Sequence, residues 1–166
     1  MKALLYSPFS LRFGGGGERW IVELVRRATA LTFDVVTTDY TGSKRLNPAK
    51  ESVYRELGPD RVTEEHARVI RPGLMIPSPQ LVSLLRRKAA DADCIVFNNV
   101  FPGQEALVML VKTSSSRPVF SVYQAPLAKP AVLTSIYRRF VFYQIVRRFE
   151  AHQALNESDY AILRAK

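Results

Sequence analysis

Cysteine and histidine are scarce in this sequence: Cys94 stands alone, and His66 and His152 are the only imidazoles in 166 residues. A lone cysteine excludes an internal disulfide framework and a zinc site built on clustered cysteines. Two histidines supply metal ligation poorly, so no metal is expected. Long apolar runs are missing too. Nothing approaches the ~18 uncharged apolar residues of a membrane-crossing helix, and the opening Met-Lys-Ala-Leu-Leu-Tyr-Ser-Pro is too short for the apolar centre of a signal peptide. The expectation is a cytoplasmic chain. Acidic residues are in deficit, 15 against 24 basic ones, which gives a net charge of +9 and a pI of about 10.0, with Arg (17) well ahead of Lys (7). Such an excess points to an anionic partner: nucleic acid, a phosphorylated small molecule or an anionic membrane surface.

What is present suits a single domain, since domains usually run to ~100–200 residues. With 47% of residues apolar and 23% charged, the chain can bury a core. Apolar runs of strand length alternate with segments of helical period, the pattern of βα units around a parallel sheet covered on both faces. Ala3 to Ser7 reads as a first strand and Pro8 to Gly17 as a loop. Glu18 to Leu31 follows as a helix with Trp20, Ile21, Leu24, Val25, Ala28 and Leu31 on one stripe. Phe33 to Asp39 returns as a β-branched strand. Tyr40 to His66 lacks a period and is read as a surface excursion with a short helix near Ala49 to Leu57. Ala67 to Arg71 is the expected third strand, and Ser78-Pro79 is a helix start with Ser as N-cap and Pro at the first helical position. Cys94 to Asn98 is a fourth strand, Gln104 to Lys112 a helix apolar all round, and Pro118 to Tyr123 a fifth strand. A last helix is expected from Thr134 to Gln153, then a sixth strand from Tyr160 to Leu163. Right-handed crossovers turn this series into an α/β, three-layer Rossmann-like sheet of about six strands, most simply in the order 3-2-1-4-5-6.

Four glycines, Gly14 to Gly17, stand between the first strand and its helix. Glycine lets a backbone approach a ligand closely, and the N–H groups at a helix start attract anions. In such a sheet this loop lies at the carboxyl end of strand one, beside the switch in strand order where ligands bind. A merely flexible loop is the competing reading. Asp39 closes strand two where a dinucleotide's ribose would be bound, yet Pro8 to Phe13 separate the glycines from the strand and Arg19 replaces the third glycine of that fingerprint. No Gly-Lys-Ser/Thr follows, which excludes a nucleotide-hydrolysing P-loop. Asn98 and Asn99 after strand four, and Gln124 after strand five, lie at ligand-facing strand ends, where sugar contacts and loop capping are both open. Cys94 reads as a small buried hydrophobe and the two histidines as structural or solvated groups.

The run Gly15-Gly16-Gly17-Glu18-Arg19-Trp20-Ile21-Val22-Glu23-Leu24 resembles the Gly-Gly-x-Glu-Arg opening of GT-B glycosyltransferases of family 4, the glycosyl transferases group 1. Ala92 to Val96, Pro118 to Gln124, an aromatic-basic helix and Ser158 to Ile162 follow in that family's order. The resemblance covers residues 1–166, but only the amino-terminal half of such an enzyme. It implies an acceptor-binding Rossmann-like domain whose donor-binding counterpart is a missing carboxyl-terminal half or a separate chain. Gly15, Gly16 and Gly17, with Glu18, would then approach the donor diphosphate or acceptor across the cleft between domains. Gln124 stands where the family often places a histidine, and Gln carries no titratable proton near neutral pH. The family's Glu-x7-Glu motif belongs to the donor domain; Glu56 and Glu64 match its spacing in the wrong half, by chance.

The resemblance therefore implies the acceptor-binding half of a retaining hexosyltransferase, inactive by itself. The complete enzyme would use a nucleotide-sugar as co-substrate, no other cofactor, and a glycan, lipid or small-molecule hydroxyl as acceptor. Peripheral contact with an anionic membrane face is kept as an expectation. Nucleic acid is disfavoured, because Arg138, Arg139, Arg147 and Arg148 scatter around a helix at ~100° per residue. Two alternatives remain open: a basic Rossmann-like module that binds a polyanion, and one subunit of a split glycosyltransferase.

Overall fold

The computed structural model describes residues 1–11, 16–38, 57–58, 60–71, 76–98, 105–123, 143–154 and 157–164. In chain order they form β1 (Lys2–Ser7), α1 (Gly16–Arg27), β2 (Thr32–Thr38), β3 (Val62–Ala67), β4 (Val69–Arg71) and β5 (Ile76–Pro77). Then come α2 (Pro79–Asp91), β6 (Cys94–Asn98), α3 (Glu105–Lys112), β7 (Val119–Tyr123), α4 (Tyr143–Val146), β8 (Ala151–Ala154) and α5 (Glu157–Arg164). The main sheet has six strands in the order β3-β2-β1-β6-β7-β8, and every neighbouring pair is parallel. That is the expected 3-2-1-4-5-6 order, with the switch between β1 and β6. A separate antiparallel ribbon pairs β4 with β5.

Because successive strand side chains alternate in direction, each central strand supplies two cores. Ala3, Leu5, Phe33, Val35 and Val62 pack against Ile21, Val22 and Val25 of α1. Leu4, Tyr6, Val36, Ile95 and Phe97 face the other way, against Leu81 and Leu85 of α2 and Leu107, Val108 and Val111 of α3. Leu4, Leu5, Leu81 and Leu85 are wholly buried, each contributing roughly 1.5–3 kcal/mol. Burial also raises the Tyr6 hydroxyl far above its ordinary pKa.

Local signals explain the helix ends. Ser78 Oγ accepts from Leu81 N at 3.1 Å with Pro79 at the first helical position, as the sequence predicts. At the far end of α1, Arg61 Nη2 donates to the carbonyls of Val25 (2.6 Å) and Ala28 (3.1 Å). A guanidinium there satisfies exposed carbonyls and opposes the helix dipole. On the α2 side of the sheet, the buried carboxylate of Asp34 lies 2.9 Å from Lys2 Nζ and 3.4 Å from Lys88 Nζ. Lys88 also reaches Glu65 at 2.5 Å. Burial by itself would lower the Lys88 ammonium, but the hydrogen bonds and charges of Glu65 and Asp34 outweigh it and hold its pKa above the ordinary value.

Four sequence expectations are corrected. The third strand of the sheet is Val62–Ala67, all but its last residue inside the expected excursion, while Val69–Arg71 belongs to the ribbon. The sixth strand is Ala151–Ala154, paired with β7 from Phe120↔Ala151 to Tyr123↔Ala154, and Glu157–Arg164 is a helix. The last helix therefore ends well before Gln153; its expected start at Thr134 lies outside the described residues. Both displaced strands are edge strands with polar residues, Thr-Glu-Glu-His and Ala-His-Gln-Ala, which need no apolar run because they are covered less than the centre. Finally, α3 is not apolar-buried all round: Leu107, Val108 and Val111 are buried, but Leu110 is 38% exposed.

Candidate functional site

Polar side chains collect at the carboxyl ends of the strands, on the face that α1 covers. Ser7 pairs with Thr37 and Thr37 with His66 across the parallel register. Counting by twos from Leu5, Val35 and Val62, the side chains of Ser7, Thr37, Glu64 and His66 share one face. Asn98 extends the row on β6, in step with Cys94 and Val96.

Glu64 is the centre of its outer half. Its side chain is 2% exposed, and Oε1 accepts from Ser10 Oγ at 3.1 Å, Leu11 N at 3.2 Å and Thr37 Oγ1 at 3.1 Å. Thr37 Oγ1 also lies 2.6 Å from His66 Nδ1, and that nitrogen is 3.9 Å from Glu64 Oε1. A hydroxyl has one proton to give. If Thr37 donates to Glu64, His66 Nδ1 must carry a proton and donate to Thr37, which leaves Nε2 of the neutral ring as an acceptor. The series His66, Thr37, Glu64 thus orients an imidazole through a hydroxyl. Two buried atoms in this row, Ser7 Oγ and Glu64 Oε2, have no hydrogen-bond partner among the described residues. Orphaned buried polar atoms are rare in folded proteins and mark places where a group from outside can be received.

The inner half lies at the strand-order switch. Gly16 and Gly17 open α1, and the wholly buried Asn98 donates from Nδ2 to Gly17 O at 3.3 Å. Glu18, also buried, is an acid in the first turn, where the helix dipole favours it. Among the described residues, a Cβ placed on Gly16 would meet nothing within 4 Å. Their side of this helix start leaves room for the close approach of a ligand. Among the described glycines, positive φ occurs at Gly58 (φ 77°) and not at Gly16 or Gly17. Gly16, Gly17, Glu18 and Asn98 are thus brought together, whereas Gly15, Asn99 and Gln124 fall outside the described residues, as do Glu56 and Asp39.

Neither histidine is solvated and unattached. Ser121 Oγ lies 2.5 Å from His152 Nδ1, His152 Nε2 lies 3.0 Å from the Val146 carbonyl, and the ring stands edge-on to Phe149 at 5.3 Å. A ring that donates from Nε2 to a carbonyl accepts at Nδ1, so Ser121 donates. Burial lowers the His152 pKa, with the Val146 hydrogen bond acting in the opposite sense. Ser121 and His152 are register partners in mid-strand, and Ser121 is 1% exposed, so the pair joins β7 to β8 rather than meeting substrate. Burial first and the Asp93 charge second raise the Cys94 thiol, which fits its expected place among packed apolar groups. The Glu64 network was missed because polar residues in Thr63-Glu64-Glu65-His66 carry no strand signal. Thr37-Thr38 at the end of an apolar strand was the available hint.

Among the described residues no group of three or more His, Cys, Asp and Glu gathers as a metal site, and no helix is long and apolar enough to cross a membrane. No family model and no curated protein matches this sequence. Solved structures do. UGT2 of Phytolacca americana, complexed with UDP-2fluoro-glucose and pterostilbene, aligns with a TM-score of 0.50 at 13% identity over 76% of this chain and 31% of its own. Anabaena HepE, in complex with UDP and glucose, aligns at 0.49 and 13% identity over 99% of this chain and 49% of its own. The FMN-dependent cysteine decarboxylase TvaF from thioviridamide biosynthesis aligns more loosely, at 0.41 and 15% identity, over 99% of this chain and 95% of its own. The chain spans about a third of UGT2 and about half of HepE, and the alignment with UGT2 shows a shared fold over that part.

Proposed function

We propose that this chain is the acceptor-binding half of a retaining GT-B glycosyltransferase, of the family 4 type that its Gly-Gly-x-Glu-Arg segment resembles. The complete enzyme transfers a sugar from a nucleotide-sugar to a hydroxyl of a glycan, lipid or small molecule. The observation that carries the reading is the Asn98 to Gly17 hydrogen bond, which fixes a glycine-opened helix start at the strand-order switch with open space at Gly16. Ligands of open α/β sheets bind at that crevice.

In this reading the first amides of α1 face the diphosphate that departs from the donor. Fixed N–H dipoles stabilise charge that develops there without having to reorganise. Asn98 engages the Gly17 carbonyl, so the start of α1 keeps its position as a ligand arrives. Acceptor hydroxyls lie along the polar row of Ser7, Thr37 and His66. The nucleotide-sugar is held by a second α/β domain, on the same chain or on a partner. The net charge of +9 suits work beside an anionic acceptor or the cytoplasmic membrane face.

The test is transfer from labelled nucleotide-sugars by this chain fused to, or mixed with, a donor-binding α/β domain. Sugar transfer that falls at least ~tenfold in Gly16→Val is expected, since a side chain there fills the ligand's space. Steep salt-dependent binding to DNA with no response to sugars overturns the reading in favour of a polyanion module.

A further inference from the structure

A cavity lies away from the glycine-opened helix, where the end of β3 meets the start of α2. It is an open cleft of about 670 Å³ lined by residues 65–68 and by Pro79, Gln80, Ser83, Leu84 and Arg87. Its charge is uneven. Arg68 is exposed, and no ion pair engages it among the described residues. Arg87 is 68% exposed and touches Glu65 at 3.3 Å, but Glu65 is already held by Lys88 at 2.5 Å. Two guanidinium groups therefore face the cleft against one carboxylate that a third cation neutralises.

The backbone adds to this. Ser78 Oγ caps the amide of Leu81, and the first intrahelical bond runs from Val82 N to Ser78 O. Pro79 has no N–H. The amide of Gln80 is left without a carbonyl one turn before it, at the positive end of a 13-residue helix. Gln80 and Ser83 offer neutral donors beside it, and His66 is among the lining residues contributed by β3. Two forked cations, an amide with no carbonyl partner among the described residues, and the neutral donors of Gln80 and Ser83 line one open space, an arrangement that suits an anion with several acceptor oxygens and more than one negative charge, as a phosphomonoester has.

We propose that this cleft binds a phosphomonoester, with Arg68 and Arg87 as its two charge partners and the Gln80 amide as the third. The cleft borders the proposed acceptor row at His66, but its charge partners Arg68 and Arg87 take no part in the sugar chemistry, so either reading survives the loss of the other. The cleft's volume accommodates a phosphate with a sugar-sized group attached, and the same chemistry would serve the headgroup of a phospholipid.

Isothermal titration of the whole chain with inorganic phosphate and with glucose 6-phosphate, and co-sedimentation with phosphatidylcholine vesicles with and without phosphatidic acid, test it. Saturable binding of at least one phosphate probe is expected. Preference for glucose 6-phosphate over inorganic phosphate identifies a phosphorylated small molecule, and preference for phosphatidic acid vesicles identifies a headgroup. Both results support the proposal. Arg68→Gln and Arg87→Gln should each weaken binding about tenfold, the worth of a charge-assisted hydrogen bond. The charge-matched Arg117→Gln should leave it unchanged, because Arg117 lies outside the cleft lining, just ahead of β7. Both cleft arginines are exposed, so the variants keep the fold, which circular dichroism verifies. Absence of binding to every probe overturns the proposal, and so does binding that Arg117→Gln weakens as much as Arg68→Gln.

Discussion

Asn98 Nδ2 reaches the Gly17 carbonyl at 3.3 Å, tying the carboxyl end of β6 to the first turn of α1 across the strand-order switch. Asn98 is wholly buried, so its loss leaves polar atoms without partners in a closed space. Asn98→Leu should lower stability by ~1–3 kcal/mol in urea unfolding. Gly16→Ala behaves oppositely. Its Cβ meets open space and alanine favours helix by up to ~1 kcal/mol, so stability holds or rises while ligand response at the helix start falls.

Thr37 stands between Glu64 and His66, within 3.1 and 2.6 Å of each. Thr37→Val keeps the shape but removes the shared hydroxyl. A loss of ~1–3 kcal/mol is expected, and the NMR signals of the His66 ring should move as its Nδ1 partner disappears. An unchanged ring environment would contradict the relay.

Lys88 and Lys2 flank the buried Asp34 carboxylate. Lys88→Met should destabilise by about 2 kcal/mol, less than the ~3–5 kcal/mol of a buried charge left wholly unpaired, because Lys2 stays. Joint replacement of Asp34 by Asn and Lys88 by Met should cost less than the sum of the single changes. A double-mutant cycle measures that difference.

His152 sets a pH dependence. Its folded pKa is lowered by burial, so the unfolded chain binds the proton more readily. Its contribution is full above the ordinary value of 6.5, declines as pH falls below it, and levels off once pH passes the folded pKa. Thermal unfolding between pH 7.5 and 5 should show this slope, and His152→Gln should flatten it. A slope of opposite sign would mean that His152 is held protonated.

The central strands were legible because Ala3 to Ser7, Phe33 to Thr38 and Cys94 to Asn98 are covered on both faces and are mostly apolar, with polar side chains confined to Asp34 and the carboxyl ends. The strand order followed from right-handed crossovers. β3 and β8 were not legible: an edge strand takes support from one neighbour, so Glu64, Glu65, His152 and Gln153 could enter it. At the site, Asn98 and Gly17 were readable from their place after a strand and before a helix. Glu64 was not, because its partners Ser10, Thr37 and His66 are brought to it only by the parallel register.

The most direct measurement of the central claim is sugar transfer by the purified chain, tested by itself and with its donor-binding counterpart, from a panel of nucleotide-sugars. The account predicts no turnover by the chain by itself, transfer when the counterpart is present, and loss of that transfer in Gly16→Val. Enzyme-like turnover of a nucleotide-sugar by residues 1–166 without any counterpart would contradict it.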